Sequence, residues 1–516
     1  MSRYGNITSI SESPVQEDLL YVGTDDGLIQ VSEDGGENWR KVEQIYGVPK
    51  GAFVNDIKAD LHDANTVYAC LDHHKTGDYR PMLVKSTDRG RTWTSMVGDL
   101  PKKHLVWRIV QDHVQQNLFF LATEFGIFFS LDAGEKWTKL KGSPTISFRD
   151  LAIQKRENDL VGASFGRGFY VLDDYSPLRE SSPEKLKEDN FHIFPIRRAL
   201  WYAQADSLGG RHGFQGDSFY SADNPPYGAT FTYYSGKEFK TKKQLRKDAE
   251  KKQKDGDVPL PSWESLRDES LEEGARVYFE ITDSDGMIVS RVDGETGKGL
   301  HRTTWNFRCN ALTSQGSGPL CAPGEYHLEA MLAQDGKIES LGEKVEFQVE
   351  STIDPALPIQ ARNEVLEFLQ AVSKSASTAG ALRARLTELS EEAKSVREVL
   401  KRSNLSTPEL VERAQTIAKR LDDFDLQLNG DSNKRYYRVL SEPTISSRIN
   451  GVLFGASNST HGPTQTQRDQ FEIAQGQLDK ASSELKSFIE DTILPFRAEL
   501  DDAGIPWTKG RELPDV

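Results

Sequence analysis

Hydrolysis of a glycosidic bond calls for two carboxyl groups about 5–9.5 Å apart across the scissile bond. In this 516-residue sequence Asp25, Asp26, Asp72 and Glu124 fall in short turns between apolar strands, where several turns can share one mouth. Asp26 and Glu124 are the candidate catalytic acids, although no spacing singles out a pair. Arg167, flanked by Gly166 and Gly168 in "FGRGF", is a candidate ligand-binding cation. It either faces a carboxylated ligand or caps carbonyls of a neighbouring sheet. His73 and His74 in "LDHHKTGD" could hold a metal with Asp72. Adjacent residues point to opposite faces of a strand, however, which favours a solvent-facing loop pair. No metal site or cofactor is expected. The sequence has no Gly-rich phosphate loop, no Gly-x-Ser-x-Gly elbow and no His-Glu-x-x-His helix.

A chain this long needs two to four domains. Its net charge of -15 argues against nucleic acid as a partner, because phosphate contacts need a basic face. No run approaches the ~20 apolar residues that span a bilayer, and "MSRYGNITSISESPVQ" has no signal-peptide pattern. Three cysteines, Cys70, Cys309 and Cys321, fit neither a disulfide scaffold nor zinc-site spacing.

The elements that would position the candidate acids repeat. Four units open with strand, polar turn and strand: "ITSISESPVQEDLLYVGT", "DIKADLHDANTVYACL", "RIVQDHVQQNLFFLAT" and "DLAIQKRENDLVGAS". In the first three a third strand leads into a Ser-x-Asp-x-Gly-x-x-Trp box. The boxes are Ser32, Asp34, Gly36, Trp39; Ser86, Asp88, Gly90, Trp93; and Ser130, Asp132, Gly134, Trp137. Their aspartates lie 54 and 44 residues apart, a period of short strands that predicts a β-propeller with one blade per repeat. Each Ser and Asp is expected to accept bonds from amides of its own turn. Each Gly supplies positive φ, and each Trp returns to pack between sheets. Three copies of one turn point to architecture rather than catalysis.

These boxes resemble the Asp-box of bacterial neuraminidase (BNR) repeats, found in sialidases, xyloglucanase-type glycosidases and the sortilin ectodomain. With "SFGRGFYVLDDYSPLRE", "NPPYGATFTYYS", "HRTTWNFR" and "PLCAPGEYHLEAML", nearly the whole chain resembles the C-terminal half of bacterial sortilin-like repeat proteins, often labelled glycosyl hydrolases. The resemblance implies a non-catalytic interaction protein with a protein, peptide or carbohydrate ligand. A glycoside hydrolase, or a remnant of one, is the alternative. It also implies an extracellular or periplasmic location. Residues 1–180 supply three to four blades, whereas the family's propellers are larger. The chain therefore reads as a fragment whose missing blades come from an upstream segment or a partner chain. The arginine cluster and activated tyrosine of a sialidase are not evident.

Residues 181–222 read as a connector, and residues 223–350 as a fibronectin-III-like β-sandwich of about six strands. A charged helical insertion at 237–275 interrupts the sandwich, and residues 237–254 hold nine Lys or Arg against three acids. A solvated excursion, neutralised by "WESLRDESLEEG", is favoured over a site for an acidic partner. Cys309 and Cys321 flank the loop "NALTSQGSGPL", so a disulfide is feasible if the protein is exported. Residues 355–505 carry apolar stripes at 4,3 spacing, beginning Leu382, Leu386, Leu389 and Ala393. They predict about four antiparallel helices in a bundle, with Pro495 kinking or ending the last.

Overall fold

The computed structural model describes residues 5–181, 186, 190–202, 224–252, 260–310, 318–352, 359–457 and 462–513. Most of the expected connector, the tip of the loop between Cys309 and Cys321, and the boundary at 355 lie outside the described residues. By contacts the chain divides into two units, 1–194 with 233–237, and 195–232 with 238–516. The architecture is mixed β and α.

The first unit contains four consecutive antiparallel meanders. Blade 1 is β1 (Ile7–Glu12), β2 (Leu20–Thr24), β3 (Ile29–Ser32) and β4 (Arg40–Val42). Blade 2 is β5 (Phe53–Ala59), β6 (Val67–His73), β7 (Asp78–Ser86) and β8 (Thr94–Ser95). Blade 3 is β9 (Val106–Gln111), β10 (Phe119–Thr123), β11 (Gly126–Ser130) and β12 (Thr138–Lys139). Blade 4 has three strands, β13 (Phe148–Gln154), β14 (Asp159–Ser164) and β15 (Phe169–Leu172). Their first strands neighbour one another in sequence order, β1 beside β5, β5 beside β9 and β9 beside β13. This is a propeller-like arc. Alternating apolar residues fill the space between sheets: Tyr21 and Val31 meet Ile57 and Ala69, and Tyr68 and Leu83 meet Ile109 and Phe119. Phe120 and Ile127 then meet Phe148 and Leu160.

The box turns close each third strand. Ser32 Oγ donates to Asp34 at 2.8 Å and accepts from the Gly36 amide at 2.8 Å. The same pair of bonds recurs at Ser86, Asp88 and Gly90 and at Ser130, Asp132 and Gly134. Gly36, Gly90 and Gly134 take φ of 99, 76 and 91°. The tryptophans differ. Trp137 is buried and its indole N–H donates to Met96 O of the preceding blade at 3.2 Å. Trp93 packs on the core that blade 2 shares with blade 1. Trp39 corrects the expectation of three buried indoles, being 41% exposed. Trp93 and Trp137 lie against the blade before their own, whereas among the described residues the Trp39 indole bonds only Gly36 O of its own turn.

In the second unit one sheet has the order Ala199–Trp201, Val345–Ser351, Gly324–Gln334, Arg276–Asp283, Ile288–Asp293. Residues 199–201, which the sequence reading places in the connector, form its parallel edge strand. The insertion forms helices Lys242–Lys252 and Trp263–Leu271. Arg246 of the first pairs with Glu269 of the second at 2.6 Å, so the acidic segment does neutralise part of the basic one. Cys309 and Cys321 are joined, their Cα atoms 5.9 Å apart.

Helices Ile359–Leu400, Pro408–Asn429, Ile445–Ser457 and Gln465–Phe488 share one apolar core. Leu386, Leu389, Ile417, Leu421, Leu478 and Leu485 of the predicted stripes are all buried there. Thr407 caps the second helix through the Leu410 amide, with Pro408 in its first turn. Thr464 and Gln467 form a capping box on the last. Pro495 does not end that helix. A π-turn at Ile489–Ile493 shifts the hydrogen-bond register ahead of it, and the chain continues as Leu494–Asp502.

Candidate functional site

Turns after the second strand of each blade, with the starts of the first strands, form one end of the arc. This end carries the candidate acids, and the structure assigns each a local partner. Asp25 accepts from the amides of Gly5 and Asn6 at 2.6 and 2.9 Å and from the Asn6 side chain at 2.8 Å. The Asn6 bond is the main cause that holds its carboxyl below the usual range. Asp26 accepts from the Thr24 hydroxyl at 2.5 Å. Asp25 ties its turn to the segment before β1, and Asp26 tethers its own turn.

Asp72 and Glu124 are placed differently. Asp72 is buried and its carboxylate binds Nδ1 of His74, which assigns a ring proton to Nδ1 because a carboxylate only accepts. The His74 ring stands edge-on to Trp107, centroids 5.9 Å apart. The Trp107 indole N–H donates to Glu124 Oε2 at 3.1 Å, and the Ser147 hydroxyl donates to the same oxygen at 3.0 Å. The Arg149 guanidinium lies 3.6 Å from the Trp107 ring centroid and 5.1 Å from that of the exposed Phe165. Its Nε–H donates to Ser147 Oγ at 3.1 Å. Asp72, His74, Trp107, Glu124, Ser147, Arg149 and Phe165 thus form one connected patch across blades 2 to 4.

Asp26 does not join this patch through any described bond, so the candidate pair Asp26 and Glu124 is not brought together by contact. Arg167 is exposed in the β14–β15 turn between two glycines at φ of 75 and 76°. Among the described residues it caps no carbonyl. His73 is paired across the strand with Asp78, and Asp72, His73 and His74 do not converge as three ligands. Among the described residues one such grouping occurs elsewhere: Glu325, His327 and Glu346, with ligand atoms within 4.8 Å. His327 faces Glu346 across two strands and Glu325 sits two residues before it. Strand period alone puts all three on one outward face.

The sequence reading missed Trp107, Ser147 and Arg149. Their signal was positional: "LVWRIV" and "ISFRDL" both place bulky residues where a first strand leaves the same end. A guanidinium stacked on an indole keeps its N–H rim in plane and available to planar anions such as carboxylates.

No family model matches the chain, and no curated protein matches it. Among solved structures, a Niastella koreensis GH74 enzyme aligns at a TM-score of 0.28 and 15% identity, over 33% of this chain and 29% of that one. A GH74 xyloglucanase from Xanthomonas campestris aligns at 0.26 and 11%, over 65% and 38%. YCF48 bound to D1 peptide aligns at 0.26 and 15%, over 33% and 51%. The chain spans about a third to a half of the length of these proteins. Similarity at these scores carries no argument, and the propeller-like description rests on the topology of the four sheets. No helix among the described residues is long and apolar enough to cross a membrane.

Proposed function

We propose that this chain is a non-catalytic binding protein of the sortilin-like Asp-box type. In this reading the arc is part of a propeller, the second sheet belongs to a fibronectin-III-like sandwich, and the four long helices form an antiparallel bundle. The missing blades come from an upstream segment or a partner chain. One observation carries the reading: the mouth acids hold the fold while a stacked cation faces outward. Asp25 and Asp26 tether turns, Asp72 orients His74, and Glu124 takes two donors on one oxygen. A glycosidase needs one such acid poised in an environment unlike the other's, and these four are committed to turn, imidazole and indole. The Arg149–Trp107–Phe165 stack suits a carboxylated peptide or acidic saccharide. The Cys309–Cys321 bond supports an exported protein.

The test is retention of the full chain on arrays of acidic peptides and of charged and neutral glycans. The expected result is binding to carboxylated ligands that Arg149→Ala abolishes and Arg149→Lys restores poorly. Equal binding by wild type and Arg149→Ala would remove the patch from the account.

A further inference from the structure

The outward face of the sheet in the second unit is rich in acid. On three neighbouring strands, Arg276–Asp283, Gly324–Gln334 and Val345–Ser351, the positions that alternate with the buried ones include Glu280, Glu325, Glu329, Glu346 and Glu350. Three of these carboxylates have a cation of their own. Glu280 pairs with Arg291 at 2.6 Å, Glu350 with Arg198 at 3.4 Å and Glu329 with Lys344 at 3.5 Å. Glu325 and Glu346 pair with neither Lys nor Arg among the described residues. The residue they share is His327.

His327 stands directly across from Glu346 and two residues beyond Glu325. Its Nε2 is 4.0 Å from Glu325 Oε1, and one ligand atom from each of the three side chains lies within 4.8 Å of the others. Two side chains at strand period and a third opposite them converge over one patch of sheet. The flanking positions bring no positive charge: Gln348 lies across from Glu325, and Thr282 lies across from His327 on its other side. Like charges held this close repel unless a cation joins them. The other three glutamates receive Lys or Arg, whose charged groups carry only donors, whereas a neutral imidazole presents a lone pair that ligates a metal.

We propose that Glu325, His327 and Glu346 bind a divalent cation of the zinc class, with solvent completing its coordination. One imidazole nitrogen and two carboxylate oxygens suit zinc, whereas calcium takes oxygen ligands alone. Ligand atoms about 2.1 Å from zinc stand about 3.4 Å apart at the tetrahedral angle, so the exposed glutamate tips need only close on the imidazole. The ion then joins strand Gly324–Gln334 to strand Val345–Ser351 and stabilises their sheet by binding the folded state. The site shares no residue with the mouth of the arc, and its test stands whether or not the mouth binds a ligand.

Calorimetric titration of zinc chloride into the metal-stripped full chain tests the site. The expected result is one zinc ion per chain, with binding weakened roughly tenfold or more by His327→Ala and by Glu346→Gln. Glu350→Gln, on the same face but paired with Arg198, leaves zinc binding unchanged. Calcium chloride gives no comparable binding. Far-UV circular dichroism establishes that each variant is folded. Should a ligand variant misfold, amide exchange of the wild type decides: zinc slows exchange in strands Gly324–Gln334 and Val345–Ser351 and leaves the helices Pro408–Asn429 and Gln465–Phe488 unchanged. Absence of zinc binding, zinc binding indifferent to both folded ligand variants, equal weakening by Glu350→Gln, calcium bound as tightly as zinc, or exchange in the two strands unmoved by zinc would overturn the proposal.

Discussion

The Tyr175 hydroxyl donates to Asp112 Oδ2 at 2.7 Å, and Arg179 forks onto the same carboxylate at 2.8 and 3.0 Å. The segment "DDYSPLRE" thereby fastens the chain leaving blade 4 to the β9–β10 turn of blade 3. Burial pulls the Asp112 carboxyl up, but Arg179, the Gln115 and Val114 amides and Tyr175 together hold it below the usual range. Tyr175→Phe is expected to cost about 1–1.5 kcal/mol. Asp112→Ala costs more, about 3–5 kcal/mol, because it strands a half-buried guanidinium. Urea denaturation followed by tryptophan fluorescence ranks the two, and equal effects would contradict this assignment.

The box tryptophans should not be equivalent. Trp137→Ala empties a buried aromatic site and is expected to cost ~3–5 kcal/mol. Trp93→Ala costs less, its ring being only half-buried. Trp39→Ala changes blade stability by under about 1 kcal/mol. Calorimetry of the three variants at low concentration checks the order.

Acid sensitivity follows from the same turns. Burial works to raise Asp88, but the Thr92 hydroxyl and amide, Ser86 and the Arg91 amide outweigh it and bring the group down to about 2. Asp34 is lowered chiefly by the Asn38 amide. A folded pKa below the unfolded value of about 3.9 means that the ionised form stabilises the fold. That stability is complete above about pH 4 and is lost as pH falls toward 2. Asp56, raised by burial against Lys58 and Arg108, works in the opposite sense. Stability between pH 2 and 4 should fall steeply in the wild type and less steeply in Asp88→Asn. Identical slopes would show that the box carboxylate is not the titrating group.

The blades were legible because their signals are local. A Ser-Asp-Gly turn needs only its own five residues, and the helical stripes at Leu410 to Leu428 need only a period of 3.6. The strand Ala199–Trp201 was not legible, because its partner lies some 150 residues away at Val349–Ser351 and three residues carry no period. The mouth patch was half legible. Asp72 and Glu124 showed as acids in turns, but the Ser147 bond to Glu124 and the ring contact of His74 with Trp107 cross from one blade to the next, and no spacing in one blade encodes them. Trp39 misled for a related reason: its motif matches the other boxes, while its burial depends on a neighbouring blade.

The Cys309–Cys321 bond closes a short loop in the second unit. Replacing both cysteines by serine should lower that unit's stability by roughly 2–3 kcal/mol, as for loops of comparable length. In the native protein thiol alkylation should modify neither cysteine, and denaturation without reductant should expose Cys70 alone. Alkylation of Cys309 in protein purified without reductant would contradict the bond.

The central claim is that the mouth binds and does not hydrolyse. The most direct measurement is turnover of aryl-glycosides and polysaccharides by the purified full chain beside its Glu124→Gln and Asp26→Asn variants. The account predicts no turnover above buffer for any of the three. Robust turnover by the wild type, abolished in Glu124→Gln while circular dichroism stays unchanged, would contradict it.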